Sequence, residues 1–550
     1  MTRARRGGGL VLGLLATFSV GAATAAPHVG GVLHLTASAA AGTIDPHINY
    51  EEKYNQLYAF LQDGLVTFRK VGGPRGRDVV PDLALALPEL RDGGLTYVFR
   101  LRRGVRFSTG AELRPSDAAA SLQRMFRVSG PNVGSWYSVI VGANACLAQP
   151  ATCLLEGVAA DDSKDTLTIR LTRPDGEFLQ QMAMSLACIL PADTPPHDLG
   201  TTPAPSTGPY MITRYDPSRG MTIVRNPYFT EWSHDAQPAG RVDAMTYRFG
   251  LQDESEVTAV ENGDQDWMFD EKPLDRLPEI GARFAGRVHI SDIAAYYYLP
   301  MNVRLPPFDN IDARRAVALA VNRRALTTLF GGPAMGTPLC HLLPDGIPGS
   351  APYCPYTKNP GQDWTAPDLA GARALVARSH TAGMAVTIVT TDKEVERTMG
   401  LYLQSMLTDI GYRASLRAIS SNMEFPYVQN TLNRVQISLS DWYQDYPAAS
   451  DFLGVMYSCG SFHPGSDSSI NMSGFCNAAV QAQMDRATAA EAVDADAAAV
   501  LWTQVDRTIT DLAPGTALFQ PRYLDIVSQR LGGYQVSPIY RMLMSQVWLR

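Results

Sequence analysis

The stretch Gly94-Leu95-Thr96-Tyr97-Val98-Phe99-Arg100-Leu101-Arg102-Arg103-Gly104-Val105-Arg106-Phe107-Ser108-Thr109-Gly110 sets the reading of the whole chain. Leu95, Tyr97, Phe99 and Leu101 alternate with Thr96, Val98, Arg100 and Arg102, the two-residue period of a half-buried strand. A turn follows, and then Pro115-Ser116-Asp117 reads as a helix start. Ala118, Leu122, Met125 and Phe126 lie on one face of that helix. Strand, turn and helix in this order mark an α/β chain.

Working outward, the same grammar repeats. Upstream, residues 31–36 read as a strand, 51–65 as a helix, and 79–84 as a loop entering a short helix. Downstream, strands are expected over 166–171, 221–224, 245–249 and 294–303. Residues 192–208, rich in Pro and Thr, read as a domain crossover, and a second crossover is expected near Pro306-Pro307. Asp312 is expected to cap a helix running to Phe330. Residues 368–378 and 397–410 read as helices, and 385–390 and 435–439 as strands. This order describes a separate α/β domain. The tail, 514–550, is strand-like and is expected to return to the first domain.

With 550 residues, 45% of them hydrophobic, the chain is long enough for several cores. Its net charge of −7 argues against a nucleic-acid partner, which requires a basic surface. Arg3, Arg5 and Arg6, the apolar run 10–22, and Ala23-Thr24-Ala25 have the layout of a cleavable export signal over residues 1–26. No cysteine sits near the cleavage site, so a periplasmic protein is expected rather than a lipoprotein. In an oxidising compartment, six of the seven cysteines suggest three local disulfides: Cys146 with Cys153, Cys340 with Cys354, and Cys459 with Cys476. Cys188 is left over. Hydrolase signatures such as Gly-x-Ser-x-Gly and His-Glu-x-x-His are absent, and the nine histidines show no metal-ligand spacing. An exported hydrolase is therefore the remote alternative, and no cofactor is expected.

Several segments resemble the bacterial extracellular solute-binding proteins of family 5, the dipeptide and oligopeptide receptors of ABC importers. Thr43-Ile44-Asp45-Pro46 resembles an early Leu-Asp-Pro motif, and Gly64-Leu65-Val66 the Gly-Leu-Val after it. Pro81-Asp82-Leu83-Ala84 and the stretch 94–110 follow in order. So do Ser206-Thr207-Gly208-Pro209-Tyr210, Arg225-Asn226-Pro227-Tyr228-Phe229, Pro307-Phe308-Asp309 with 314–323, and Asp441-Trp442-Tyr443-Gln444-Asp445-Tyr446-Pro447. Three departures stand out: Asn322 replaces Asp, Ser206 replaces Gly, and Ala448-Ala449 replaces Asp-Pro beside the site. The first reads as a surface change. The last bears on which ligand is bound.

The resemblance implies an α/β, periplasmic-binding-protein-like type II fold, with two lobes and three domains around a hinge and a ligand cleft between the lobes. Domain I would comprise 27–75, 196–297 and 514–550, domain II 76–195, and domain III 298–513. It also implies a monomeric receptor that delivers a short peptide or peptide-like solute to ABC permease subunits. Relatives on this scaffold carry metal chelates, haem, opines, oligosaccharides or antibiotics, so a non-peptide solute is the alternative.

For the site, the resemblance singles out Asp445 as the partner of a peptide's α-ammonium. Trp442, Tyr443 and Tyr446 flank it, where aromatic faces could add cation–π attraction of about 0.5–2 kcal/mol. Tyr298 and Asn302, on the crossover strand, and Asn49 and Tyr50, after the early Asp-Pro, are further candidates. The plainer reading is core packing for the aromatic residues and a local turn bond for Asp445.

Overall fold

The computed structural model describes residues 1–2, 29–40, 42–130, 132–270, 273, 276–466 and 469–550. The expected export signal, 1–26, lies almost wholly outside the described residues. Among these residues no helix is long and apolar enough to cross a membrane.

The N-terminal strand Val32–Ala37 lies between Trp267–Met268 and Ala244–Phe249 and runs parallel to both. Gly220–Arg225 and Tyr210–Asp216 extend this sheet antiparallel. The helix Glu52–Leu61 buries Tyr54, Leu57, Tyr58 and Phe60 in a core with Leu33, Leu35, Tyr210 and Ile223. The tail joins this core through Val527, Leu531, Met542, Met544, Val547 and Leu549.

The opening stretch forms the strand Thr96–Arg100, with Tyr97 and Phe99 inward as the alternation requires. It lies in a four-stranded antiparallel sheet with Glu89–Arg91, Thr166–Arg170 and Val158–Asp161. The helix Pro115–Arg127 covers the sheet with Ala118, Leu122, Met125 and Phe126. Residues 79–84 depart from the expected helical entry. Val79–Pro81 is a strand paired with Val66–Phe68, and no helix follows it. The ladder satisfies backbone groups that a Pro-interrupted helix could not.

Asp45, from the early Asp-Pro motif, ties these two bodies together. Arg124 donates to both of its carboxylate oxygens, at 3.0 and 2.5 Å, and the Leu199 N–H adds a third bond at 3.1 Å. Burial opposes ionisation of Asp45, but the Arg124 guanidinium outweighs it and lowers the pKa.

The third body has a parallel sheet, Arg413–Ile419, Ala385–Thr391 and Ile437–Ser438, flanked by helices Ile311–Ala320, Leu369–Arg378 and Glu394–Asp409. The single helix expected over 312–330 is two. Asn310 caps the first, and Asn322 caps a second, Arg323–Leu329, by accepting from the Ala325 N–H at 3.0 Å. Asn322 is thus a helix cap rather than a passive surface change, and Asn and Asp cap about equally well. Helices Ala449–Tyr457, Ala478–Glu491 and Ala495–Leu512 build a further core around Phe452, Trp502 and Ile509.

One more sheet carries the chain between bodies. Its order is Val288–Asp292, Gly515–Ile526, Ala295–Pro300 and Ser440–Tyr443, all antiparallel. The domain boundaries expected at 297/298 and 513/514 fall within or beside this sheet. The chain at both positions therefore runs in or next to paired strands. The three disulfides Cys146–Cys153, Cys340–Cys354 and Cys459–Cys476 are formed, and Cys188 is free and buried.

Candidate ligand-binding site

The site begins on the sheet's edge strand. Ser440–Tyr443 pairs with Ala295–Tyr298 in the register Tyr443 to Ala295 and Ser440 to Tyr298. Its other edge pairs with no strand among the described residues. The chain leaves the strand at Gln444, whose N–H donates to Ala294 at 2.9 Å, and turns into the helix Ala449–Tyr457. Asp445 sits in that turn, its N–H donating to Asp451 Oδ2 at 2.8 Å.

Burial pushes the Asp445 carboxyl up to about 7, against an opposing hydrogen bond from Asp451. Asp451 is fully buried and its pKa is also raised well above the ordinary carboxylate range, first by burial and then by the neighbouring Asp445 and Glu177 charges. Glu177 comes from the second body. Its carboxylate accepts from the Tyr446 hydroxyl at 3.2 Å and from Ser450. Burial, and then Glu491 facing it, raise its pKa as well. Glu491 accepts from Trp502 Nε1 at 2.6 Å. Among the described residues no lysine or arginine pairs with any of these four carboxyls.

The predicted residues separate into those at this junction and those used elsewhere. The Tyr446 ring is buried among second-body residues and meets Trp136 edge-on at 5.8 Å. It joins the two bodies rather than standing as an open aromatic face. Tyr50 also meets Trp136, at 5.7 Å, so segments of all three bodies converge here. The Tyr50 hydroxyl and the Trp442 indole N–H are buried with no hydrogen-bond partner among the described residues. The Trp442 ring lies parallel to Phe425 at 6.4 Å. Tyr443 lies parallel to Tyr523 at 6.3 Å, and the Tyr523 hydroxyl donates to Glu52 at 2.5 Å.

Three predicted residues are occupied by the fold itself. Tyr298 is buried in the third body, edge-on to Tyr296 at 4.9 Å. Asn302 donates to Val435 O and accepts from the Arg304 N–H, both at 3.1 Å. Asn49 uses both ends of its amide within its own turn, on Thr43 O at 2.6 Å and the Glu51 N–H at 3.0 Å. Ala448 and Ala449, the departure beside the motif, are both buried and fill cores rather than a pocket.

Sequence reading missed Trp136, Glu177, Asp451, Glu491 and Tyr523. Tyr446 and Glu177 are 269 positions apart, a distance no local pattern bridges. Asp451 is an acid in a first helical turn, a commonplace position that carries no functional signal by itself.

This architecture and its junction define a mixed α/β binding protein of the periplasmic type II class. The chain belongs to the bacterial extracellular solute-binding proteins, family 5, whose model matches residues 78–464. It is 25% identical over 493 residues to a probable di/tripeptide-binding protein 5 of Pseudomonas aeruginosa (strain UCBPP-PA14), covering 85% of this chain and 87% of that one. It is 24% identical over 459 residues to the glutathione-binding protein GsiB of Salmonella paratyphi A, covering 81% and 82%. Among solved structures, clavulanic acid biosynthesis oligopeptide binding protein 2 superposes with a TM-score of 0.84 at 23% identity, covering 95% of this chain and 96% of that one.

Proposed function

We propose that this protein is the periplasmic, monomeric receptor of an ABC importer, exported by a cleaved signal. It captures short peptides with a free amino terminus and passes them to the permease without turning them over. The observation that carries this reading is Asp445, a carboxyl in the turn where three bodies meet, with no lysine or arginine paired to it among the described residues. The relatives named for di/tripeptides and glutathione support a peptide solute, since each of those ligands carries a free ammonium.

The binding argument is electrostatic. Closing the lobes about the paired crossing strands would exclude water from the turn at Asp445. There an ammonium and a carboxylate about 4 Å apart attract by about 4 kcal/mol at an effective dielectric near 20. The open edge of Ser440–Tyr443 would take main-chain hydrogen bonds from an extended ligand, a mode that reads the backbone and tolerates varied side chains.

Calorimetry with di- and tripeptides and their N-acetyl forms tests the reading. Asp445→Ala should weaken the free-amine peptides by about 2–5 kcal/mol and leave any binding of the blocked forms unchanged. Equal affinity of free and blocked peptides for the wild-type protein would refute it.

A further inference from the structure

Asp445 and Asp451 form one unit. The Asp445 N–H donates to Asp451 Oδ2 at 2.8 Å, and the two carboxyl groups also contact each other. Two ionised carboxylates have only acceptors to offer, so a hydrogen bond between them requires a proton on one. Among the described residues, Asp451 Oδ1 is buried with no hydrogen-bond partner. The titratable groups facing the pair add negative charge or none. Glu177 reaches it from the second body, Glu491 and Asp175 lie behind Glu177, and the Tyr446 phenol stands beside Asp451. The nearby hydroxyls of Tyr446 and Ser450 are both spent on Glu177.

We propose that the unliganded Asp445–Asp451 pair holds one shared proton and that the solute's ammonium displaces it, so that capture exchanges a proton for a cation. The inference rests on the reading of Asp445 as the amine partner. The proton passes to solvent, and no other bond is made or broken. Burial raises the pKa of both carboxyls, and the Asp445 and Glu177 charges raise that of Asp451 as well, which keeps one proton on the pair at neutral pH. The sign follows from linkage: an equilibrium that releases one proton is favoured about tenfold per unit rise in pH while the pair still holds it. A peptide amino group, with a pKa near 8, stays charged throughout the range below pH 7.

The test is titration calorimetry with trialanine, within a panel of unmodified di- and tripeptides, in buffers of different ionisation enthalpy. The wild-type protein should release close to one proton per bound peptide at pH 6.5, and Kd should rise about tenfold from pH 6.5 to 5.5. Asp451→Asn keeps an acceptor for the Asp445 N–H, so it should still bind while releasing far less proton. Binding with no proton release, a flat Kd over this range, or equal release from the variant would each overturn the exchange and leave the receptor reading intact. If no free-amine peptide binds, or blocked peptides bind equally well, the receptor reading falls and takes the exchange with it.

Discussion

Gly176→Ala isolates the contact between the second and third bodies. Gly176 lies between Asp175 and Glu177, with its backbone against the end of the helix Ala478–Glu491. A Cβ there would stand 2.6 Å from the Glu491 carbonyl carbon and 2.7 Å from the Ala492 nitrogen, where ordinary contact begins at 3.4 Å. Both obstacles are backbone, so neither can rotate away. Gly176 is not in the left-handed region, so alanine adds the collision without dihedral strain. Overpacking of this kind costs about 1–3 kcal/mol. The cost falls only on the state in which the bodies touch. If that state is the one that holds solute, Kd should rise about 5- to 150-fold. Calorimetry reads the affinity, and small-angle scattering with and without peptide reads the closure. Thermal melting of the unliganded protein controls for general damage. Wild-type affinity together with a wild-type change in radius of gyration would refute the placement of this contact in the closed, solute-bearing state.

Three further outcomes follow from the fold. Arg124→Ala should cost about 3–5 kcal/mol in denaturant unfolding, because it leaves Asp45 buried and ionised without its partner. Asn322→Ala should cost about 1 kcal/mol, and Asn322→Asp close to nothing, since the second restores a capping oxygen for the Ala325 N–H. Because the folded pKa of the Asp445–Asp451 pair is raised, its stabilising contribution is complete at low pH and is lost as pH climbs through about 7. The melting temperature of the unliganded protein should therefore fall from pH 5 to 7, and Asp451→Asn should flatten that slope. An equal slope in the variant would place the titration elsewhere.

Much of this protein was legible in local pattern. The alternation over 95–101 placed Tyr97 and Phe99 inward, because a strand's side-chain period is a property of the backbone alone. The cysteine pairs closed as expected, across separations of 7, 14 and 17 residues, because short loops bring their ends together readily. Eight motifs in order identified the family and pointed to Asp445.

Only the tertiary structure decided what surrounds that carboxyl. Asn49 and Asn302 have the same amide as any binding residue, and the backbone packed against each one consumes it. Tyr446 sits one residue from Asp445 yet belongs to a core assembled from the second body. Glu177 and Glu491 reach the site from distant segments and Asp451 from the helix that follows, and burial is the first cause of the raised pKa of all three. Burial and charge proximity are sums over everything that packs nearby, so a linear motif singled out Asp445, and the packing of three bodies set its surroundings.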